Sequence, residues 1–322
     1  QPATPGARES AAQVATPSGG KSGGDMAGSN PLSGVKFYVD PLSNAKRQAD
    51  EWRTTKPDDA KAIDKISTQP QADWMGEWSG KIETAVSARV KAAASSGSVP
   101  VLVAYNIPQR DCGNYSAGGV GSGEEYTKWI EGFAKGIGSN KAVVILEPDG
   151  LPLMDCLSDG DKVRRMSLLS DAVRTLKVNA GTVVYIDAGH SHWVGAADMA
   201  SRLKKAGIEK ADGFSLNVSN FYLTEDVAKF GEEVSGLVGD KHFVVDTSRN
   251  GLGSAAGNDP EGWCNPSGRA LGSAPTTDTG DPLIDAFLWI KRPGESDGTC
   301  KDGPAAGSWW AEYALGLAQR SK

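Results

Sequence analysis

Short apolar runs alternate with longer amphipathic segments along most of the chain. Most of the short runs are rich in apolar residues, and the run at residues 142–146 is apolar without interruption, which is typical of a strand buried on both faces, as in a parallel sheet. Polar residues follow most of them directly. The predicted strands are residues 35–40, 99–106, 142–149, 182–187, 213–219, 242–247 and 286–291.

The segments between the predicted strands have helical spacing. Ser122 followed by Glu125 is a capping-box sequence, and an apolar stripe at intervals of three and four residues comes after it. Ser158 is predicted to begin a second helix of the same kind. A third helix is predicted after Gly80, and Thr224 is predicted to be the N-cap of a helix that extends to residue 238.

Strand and helix alternate about seven times, which predicts an α/β fold with a parallel sheet and helices outside it. Such a sheet is either open or closed into a barrel. The chain has no GxGxxG after its first strand and no GxxxxGK[ST], which argues against a nucleotide-binding open sheet. We therefore expect a distorted, TIM-barrel-like (β/α) barrel of about seven parallel strands, with its active site at the C-terminal strand ends.

Composition divides the chain into a tail and one large domain. Residues 1–30 are dominated by Ala, Pro, Gly, Ser and Thr and contain no aromatic residue, which is typical of a flexible linker or tail. Residues 31–322 are long enough to bury a core without help and are predicted to form a catalytic domain. With 39% apolar and 23% charged residues, the chain has the composition of an ordinary globular protein.

Charge and hydropathy exclude two classes of partner. The net charge of −6 argues against nucleic acid, because phosphate backbones are bound by basic surfaces. There is no apolar run of about 18 residues, so no segment is expected to span a membrane. The chain begins at Gln1 without an initiator Met, which we interpret as a processed start.

Four cysteines, Cys112, Cys156, Cys264 and Cys300, allow three disulfide pairings, and sequence alone does not choose among them. No CxxC pair or Cys/His cluster is present, so we expect no zinc site. The local pairing of the first two and the last two would close two loops, each contributing about 4 kcal/mol in the chain-entropy model. An even count fits a secreted protein, and four reduced thiols are the alternative.

Carboxylates and amides follow six of the seven predicted strands. Parallel strands point the same way, so these side chains are expected to meet at one end of the barrel. Glu147 and Asp149 flank Pro148 at the end of an apolar strand, and burying unpaired carboxylates there costs enough free energy to require a reason. The carboxylates expected at this end are Asp111, Glu147, Asp149, Asp187, Asp246, Glu295 and Asp297.

Crowded carboxylates raise one another's pKa, so that one can donate a proton while another stays ionised. Glycoside hydrolysis and metal-dependent phosphoryl chemistry both use such clusters. Exposed indoles favour the sugar chemistry, because they match the apolar faces of sugar rings and do nothing for phosphates. A Ser/His/Asp triad is not favoured, since there is no GxSxG sequence. The tryptophans in loops or at element ends are Trp52, Trp74, Trp193 and Trp263, and Trp129 and Trp289 are expected in the core.

The motifs together resemble glycoside hydrolase family 6. The sequence VAYNIPQRDCG at residues 103–113, with the Ser/Gly-rich loop after it, resembles the first family signature, and VILEPD at residues 144–149 resembles the second. The segments at residues 187–190, 217–220, 246–251, 263–264 and 291–298 are similar to the remaining blocks, in the family's order. The resemblance extends from about residue 35 to the C terminus.

This resemblance implies a secreted cellulase that cleaves β-1,4-glucan with inversion, and we expect it to act as a monomer without a cofactor or metal. Asp149 matches the general acid, and Asp111 matches the residue that keeps this acid protonated and organises the water. Asp297 matches the proposed base, and Asp187 a further supporting acid. Tyr105 matches a tyrosine beside the sugar at the cleavage point, where it promotes ring distortion. Sugar-binding positions are matched by Trp52, His190, Trp193, Asn217, Trp263, Lys291 and Glu295.

The family also implies the disulfides Cys112–Cys156 and Cys264–Cys300. Only 36 positions separate the last two cysteines, and residues 251–262 are short for a loop that would cover a cleft. This indicates an open cleft and an enzyme that cuts internal bonds. The alternatives are an exo-acting cellobiohydrolase of the same family and a catalytically silent glucan-binding protein.

Several residues near the motifs have structural interpretations. Glu147 has two open ones, a brace for the barrel end and a binding residue. Asp246 and Arg249 are interpreted as an internal ion pair, and Arg110 as the partner of a neighbouring carboxylate. The residues expected only at the surface or in packing are His192, His242, Trp309 and Trp310.

Overall fold

The computed structural model describes residues 28–255, 257 and 259–322. Most of the predicted tail at residues 1–30 lies outside these, so the division into tail and catalytic domain stays a prediction. Seven parallel strands, each paired with its neighbours in chain order, form one curled sheet. The strands are β1 Asp73–Met75, β2 Val101–Ala104, β3 Ala142–Leu146, β4 Thr182–Asp187, β5 Gly213–Leu216, β6 His242–Asp246 and β7 Ile284–Leu288.

Helices connect the strands and add a separate layer formed from both ends of the described chain. Five of them, α3 to α7, lie between successive strands and pack on the outer face of the sheet. The other three, α1, α2 and α8, pack on one another and on Trp289. The helices are α1 Asn44–Trp52, α2 Pro57–Ser67, α3 Ile82–Ser95, α4 Gly123–Ile137, α5 Asp159–Leu176, α6 Ala196–Lys205, α7 Thr224–Leu237 and α8 Ala311–Arg320.

Alternation along each strand divides the core into two clusters. In β3, Val144 and Leu146 pack outward against the helices, whereas Val143 and Ile145 point into the interior of the curl. Both faces are therefore buried, which explains why this strand is apolar without interruption. All five of its residues are buried.

The first strand differs from the prediction. Residues 35–40 form only an isolated bridge between Phe37 and Val99. The edge strand is instead β1, three residues long, which pairs with residues 102–104 of β2. Such a short strand, beginning with a charged Asp73, carries too little apolar pattern to be recognised. The other six predicted strands are confirmed, with shifts of a few residues at their ends.

Side-chain and main-chain contacts join the two edges of the sheet where a closed barrel would have a ladder. The N–H of Ala72 donates to the carbonyl of Trp289 at 3.0 Å, and Trp74 Nε1 donates to the carbonyl of Ile290 at 2.9 Å. Arg292 Nε donates to the carbonyl of Ala72 at 2.7 Å. The predicted distorted barrel is confirmed as a curl whose first and last strands are bridged in this way.

Two of the three predicted helix caps are confirmed. The Ser122 hydroxyl accepts from the N–H of Glu125, and the Ser158 hydroxyl accepts from the N–H of Asp161. The third prediction is wrong by one residue, because α7 begins at Thr224 itself. The Thr224 hydroxyl accepts from Asn250 Nδ2. Its side chain therefore forms a tertiary hydrogen bond instead of the predicted helix cap.

Both disulfides have the local pairing that the family implies. Cys112 is joined to Cys156, and Cys264 to Cys300. The first ties the loop after β2 to the loop after β3, and the second ties the loop after β6 to the loop after β7. Within the described ranges, no helix combines the length and apolar character needed to cross a bilayer.

Candidate active site

A cleft of 1130 Å³ lies at the C-terminal ends of the strands. Loops after all seven strands contribute to its walls, as expected for parallel strands that point the same way. Nine of the twelve predicted site residues line it, and Trp52, Asp187 and Asn217 do not. The nine are Tyr105, Asp111, Asp149, His190, Trp193, Trp263, Lys291, Glu295 and Asp297.

The chain turns sharply where β3 and β5 end. Glu147 and Asp149 have φ of 49° and 66°, and Asn217 and Ser219 have φ of 65° and 60°. Such left-handed conformations are uncommon for residues other than glycine and persist only when surrounding contacts hold them. At both strand ends the two left-handed residues are separated by one residue. The same backbone conformation therefore presents the polar side chains that follow β3 and β5.

Glu147 braces this turn from beneath the cleft. Its carboxylate accepts from the N–H of Asn106 at 3.0 Å and from that of Ile107 at 3.2 Å, which fixes the end of β2 against the end of β3. Burial raises the pKa of Glu147 to about 7, against the effect of these hydrogen bonds. Of its two open interpretations, the structure favours the brace, because Glu147 is buried and does not line the cleft.

Asp149 lies partly buried above a second carboxylate, Asp187. The N–H of Asp149 donates to Asp187 Oδ2 at 2.9 Å, and the Ser215 hydroxyl donates to Asp187 Oδ1 at 3.0 Å. Burial raises the pKa of Asp187 to about 7. Burial also raises the pKa of Asp149 well above its usual range, and the charges of Asp187 and Asp111 raise it further. In the described part of the chain, neither carboxylate forms an ion pair.

Asp111 lies on the loop that Cys112 ties to the loop after β3. Its carboxylate accepts from the N–H of Ser116 at 2.7 Å, and burial raises its pKa. The neighbouring Arg110 pairs with Glu77 through two contacts of 2.7 and 2.9 Å, as predicted for a partner of a nearby carboxylate. Arg110 Nε also donates to the Ser116 carbonyl, so one guanidinium shapes the loop that carries Asp111.

Arg165 in α5 holds the two acid-bearing loops together, which sequence reasoning missed. Its guanidinium donates to the carbonyls of Pro108 and Gln109, at 2.7 and 2.9 Å, before Asp111. It also donates to the carbonyls of Gly150 and Leu153, at 3.3 and 3.1 Å, after Asp149. The available signal was an arginine at a position of the buried stripe of α5.

Asp297 has the opposite electrostatic environment. Arg249 Nη1 lies 2.8 Å from one carboxylate oxygen and Lys291 Nζ lies 3.0 Å from the other. The N–H of Asn265 donates to the same carboxylate at 3.0 Å. Burial alone would raise the pKa of Asp297, but the two positive charges outweigh it and lower this pKa to about 2.

The predicted Asp246–Arg249 ion pair is wrong. Arg249 is completely buried and pairs with Asp297 instead. The Asp246 carboxylate accepts main-chain N–H groups, among them those of Ser219 and Lys291 at 3.0 and 2.9 Å. Asp246 therefore ties the ends of β5, β6 and β7 together without a cation. Sequence proximity suggested a pair that the curled sheet does not form.

The two histidines after β4 both line the cleft. His190 lies with its ring centre 5.3 Å from that of Trp193, and burial lowers its pKa to about 4, so it is neutral. His192 is exposed as predicted, and its ring stacks on Tyr222 at 4.3 Å within the cleft wall. Tyr222, which sequence reasoning did not single out as a ring-stacking residue, also contacts His190.

The prediction of a surface position for His242 is wrong. His242 is buried at the start of β6, so it lies at the opposite end of the strands from the cleft. Its Nδ1 lies 2.7 Å from Asp285 Oδ1, and the Tyr185 hydroxyl donates to Asp285 Oδ2 at 2.7 Å. A polar residue beginning an apolar run looks exposed in the sequence, but the interior of this curled sheet encloses it.

Trp52 lies away from the cleft, contrary to the prediction. It ends α1 and packs on the cluster formed by α1, α2 and α8, with Lys56 Nζ 4.8 Å from its ring centre. Trp74 and Trp78 line the cleft instead, on the segment that follows and includes β1. The Trp74 ring meets that of Tyr105 edge-on at 5.1 Å. Trp74 was expected among the indoles in loops or at element ends, but because β1 was not recognised in the sequence, neither tryptophan was assigned to a sugar-binding position.

The remaining predicted residues divide between wall and support. Lys291 and Glu295 line the cleft, and Glu295 Oε1 lies 3.4 Å from Asn44 Nδ2 of α1. Asn217 is buried behind the wall, where its Nδ2 donates to the carbonyls of Asp246 and Tyr222 at 3.0 and 3.2 Å. The tryptophans expected in packing, Trp129, Trp289 and Trp309, all contact the apolar clusters, and Trp310 stacks on Tyr313.

Comparison with known proteins shows which protein family this chain matches. The model of the family described as glycosyl hydrolases family 6 matches residues 32–321. Endoglucanase A of Cellulomonas fimi is 44% identical over 91% of this chain and 62% of its own length. Endoglucanase 1 of Streptomyces halstedii is 43% identical over 86% of this chain and 87% of its own. This chain therefore spans less than two thirds of the Cellulomonas protein.

A solved structure is similar in three dimensions as well. The endoglucanase Cel6 from Mycobacterium tuberculosis, in complex with methyl-cellobiosyl-4-deoxy-4-thio-β-D-cellobioside, superposes with a TM-score of 0.86. It is 46% identical and covers 90% of this chain and 99% of its own. The curled seven-stranded sheet is thus shared with a protein whose structure holds a cello-oligosaccharide analogue.

Proposed function

This chain belongs to glycosyl hydrolases family 6, and on that premise we propose that it hydrolyses internal β-1,4-glucosidic bonds in cellulose and related β-glucans, with inversion. The observation that carries the proposal is the contrast between two acids of one cleft. Asp149 has a raised pKa and holds its proton, whereas Asp297 has a pKa of about 2 and stays ionised. Glycoside hydrolysis needs such a pair.

Asp149 is the general acid of the proposed reaction. Its proton passes to the glycosidic oxygen as the bond to the anomeric carbon breaks, and the leaving sugar departs as an alcohol. Burial and the charges of Asp187 and Asp111 raise the pKa of Asp149 well above its usual range, which favours its protonated form. After Asp149 has donated its proton, it must be protonated again. The Asp187 carboxyl beneath it can hold a proton for this step, since burial raises the pKa of Asp187 to about 7.

A water molecule attacks the anomeric carbon from the face opposite the leaving sugar, which inverts the configuration of that carbon. Asp111 organises this water in the proposed mechanism, supported by its place in the cleft wall and its raised pKa. Asp297 is the proposed base. Because Arg249 and Lys291 lower its pKa to about 2, it is ionised before each turnover, accepts the proton that the attacking water loses and releases it readily to solvent. Its negative charge also attracts the positive charge developing on the sugar.

Aromatic residues hold the glucan on either side of the cleavage point. Tyr105 is buried except for its cleft-facing edge, and Arg110 and Trp74 fix its ring, with the guanidinium carbon 4.5 Å from the ring centre. This rigid position suits the proposed contact with the distorted sugar. Trp74, Trp193 and Trp263 are the proposed stacking surfaces, the last two being 37% and 40% exposed within the cleft. His190, Lys291 and Glu295 supply polar contacts to hydroxyl groups.

Cleavage of internal bonds is supported by the three relatives reported above, each of which is named an endoglucanase, and by the short segment at residues 251–262 that lies between β6 and β7. The chain is further proposed to be secreted, which two disulfides support. It is proposed to act as a monomer, because one chain supplies a cleft with acids, base and aromatic walls. Residues 1–30 are the proposed linker, and residues 31–322 the catalytic domain.

The decisive variant is Asp149→Ala, assayed on a soluble β-glucan. We expect turnover to fall by about 10²- to 10⁴-fold, the usual contribution of a general acid. Asp159→Ala is the matched control, since that carboxylate is fully exposed at the start of α5 and should leave activity unchanged. Activity of Asp149→Ala close to that of the wild type would remove the acid assignment.

Product analysis on carboxymethylcellulose distinguishes internal from terminal cleavage. Internal cleavage lowers the viscosity quickly while few reducing ends appear. Slow release of cellobiose at nearly constant viscosity would instead identify an exo-acting enzyme. Full activity in the presence of a chelator would separate either outcome from metal-dependent phosphoryl chemistry.

A further inference from the structure

Trp78 is the most exposed tryptophan that lines the cleft. It lies on the short 3-10 helix Glu77–Ser79, directly after β1, and is 56% exposed, compared with 37% for Trp193 and 40% for Trp263. Leaving a large indole in water forgoes the free energy that its burial would give. An exposed indole in a cleft wall is therefore a candidate contact for a ligand with an apolar face.

The Trp78 ring is exposed and yet held in place. Its Nε1 donates to the carbonyl of Trp74 at 3.4 Å. The guanidinium carbon of Arg110 lies 5.3 Å from its ring centre, and Arg110 is fixed in turn by Glu77. A Cβ on Gly76 would come within 2.5 Å of the ring. The indole therefore packs against the main chain at Gly76, where any larger residue would displace it. Ordering this side chain on binding therefore costs little.

Contacts from Trp78 lead step by step to the catalytic centre. Arg110 lies between two aromatic rings, those of Trp78 and Tyr105. Tyr105 also meets Trp74, and it is close enough to Asp149 and Asp111 for their charges to raise its pKa, after burial as the main cause. Trp78 is thus separated from the acids by Tyr105 and Arg110, at the outer end of this aromatic series.

We propose that Trp78 is the platform of an outer sugar subsite, which binds a glucosyl residue of the β-1,4-glucan beyond those held at Tyr105 and Trp74. This inference rests on the proposed function and deepens it, because it predicts a preference for longer chains. The apolar face of a glucose ring matches the indole, and the half-exposed carboxylate of Glu77 next to it can accept from the sugar hydroxyls. Shorter oligosaccharides cannot reach this platform while they occupy the cleavage point.

The test is the dependence of kcat/KM on chain length in Trp78→Ala, with cello-oligosaccharides of three to six residues and a soluble β-glucan. We expect kcat/KM for the longest substrates to fall about tenfold, through KM, the loss that one aromatic contact corresponds to. The values for the shortest cleaved oligosaccharide and kcat at saturation should stay unchanged. Trp78→Phe should recover part of the preference, because it keeps an aromatic face.

Gly76→Ala provides a second variant that keeps the indole but displaces it. Gly76 is extended, with φ −153°, so alanine is compatible with the backbone and only the contact with the ring changes. We expect a weaker loss of the same length dependence. Val178→Ala is the control for exposed apolar surface, since Val178 is 81% exposed just after α5 and does not line the cleft.

Two results would overturn the inference. An equal loss on all chain lengths would mean that Trp78 only supports Arg110 and the loop carrying Asp111. Unchanged kinetics on every substrate would mean that the indole contacts no sugar. Failure of the proposed function looks different, because the wild-type protein would then hydrolyse none of these substrates, whatever residue occupies position 78.

Discussion

Two regions of the cleft place an aspartate in a buried position with opposite results. At the end of β3, Asp149 lies above Asp187 without a neighbouring cation, and the pKa of both carboxyls is raised, first by burial. After β7, Asp297 is buried, but Arg249 and Lys291 lower its pKa to about 2. Burial without a paired cation therefore favours the protonated form of an aspartate, and burial between two cations favours its anion.

The difference shows that the charge of a buried acid depends on its partners more than on its depth. A protonated acid at neutral pH requires that no cation pair with it, and the hydrogen-bond donors described around Asp187 are neutral, namely the N–H groups of Asp149 and Gly189 and the Ser215 hydroxyl. A fixed anion requires cations that are themselves buried, as Arg249 is. Three experiments test this difference between the two aspartates, and the first removes the guanidinium that pairs with Asp297.

Arg249→Met should destabilise the protein by about 3–5 kcal/mol, because it leaves the Asp297 carboxylate buried with less compensation. The free energy of unfolding by denaturant measures this. Lys46→Met is the matched control, since Lys46 pairs with Asp50 at the surface and such pairs contribute about 0–1 kcal/mol. The double variant with Asp297→Asn should recover part of the loss. A loss no larger than that of the control would contradict the interpretation.

Acid should reveal the Asp297 contribution to stability. Its folded pKa of about 2 is below the unfolded value of about 3.9, so its stabilisation is complete above about pH 4 and is lost as the pH falls towards 2. A difference of this size corresponds to about 2–3 kcal/mol. Unfolding free energies across this window should flatten in Asp297→Asn relative to the wild type. Parallel curves would show that Asp297 does not carry the effect.

The smallest effect is expected at the other region, in Asp187→Asn. Above pH 7 the ionised Asp187 raises the pKa of Asp149, so removing this charge should move the alkaline limb of the kcat profile about one pH unit lower. The pH dependence of stability due to Asp187 is opposite in sign to that due to Asp297. Because folding raises the pKa of Asp187 to about 7, its contribution to stability is fully present below about pH 4 and is lost as the pH rises through 7.

Asp226→Asn, at an exposed position in α7, is the control for loss of one negative charge. It should leave both the pH profile of kcat and the pH dependence of unfolding unchanged. If Asp187→Asn also leaves the alkaline limb in place, the two carboxyls are not coupled and the high pKa of Asp149 has burial as its sole cause.

The apolar pattern was sufficient for much of the fold and for the general position of the site. Six strands were predicted correctly because each is a short run dominated by apolar residues and buried on two faces. The carboxylates after those strands converge because parallel strands share one direction. The Ser122 and Ser158 caps were predictable because their hydrogen bonds are local.

The errors all concern contacts between residues far apart in the chain. β1 is three residues long and exists because β2 and the end of β7 offer it hydrogen-bonding partners. Without it, Trp74 was expected only as an indole at an element end, Trp78 was not singled out, and Trp52 was assigned to the cleft although it packs on the cluster formed by α1, α2 and α8. Arg249 was matched with Asp246, its neighbour in sequence, instead of with Asp297, 48 positions away.

Apolar runs and local motifs were thus enough to predict a parallel α/β barrel, the strand ends that carry acids, and the family to which those motifs belong. Which acids hold protons and which stay charged depends on tertiary contacts. Strand formation and capping depend on neighbours within a few residues, so they are present in the local pattern. A pKa depends on burial and on charges brought in from other strands and helices, and these exist only once the sheet has curled.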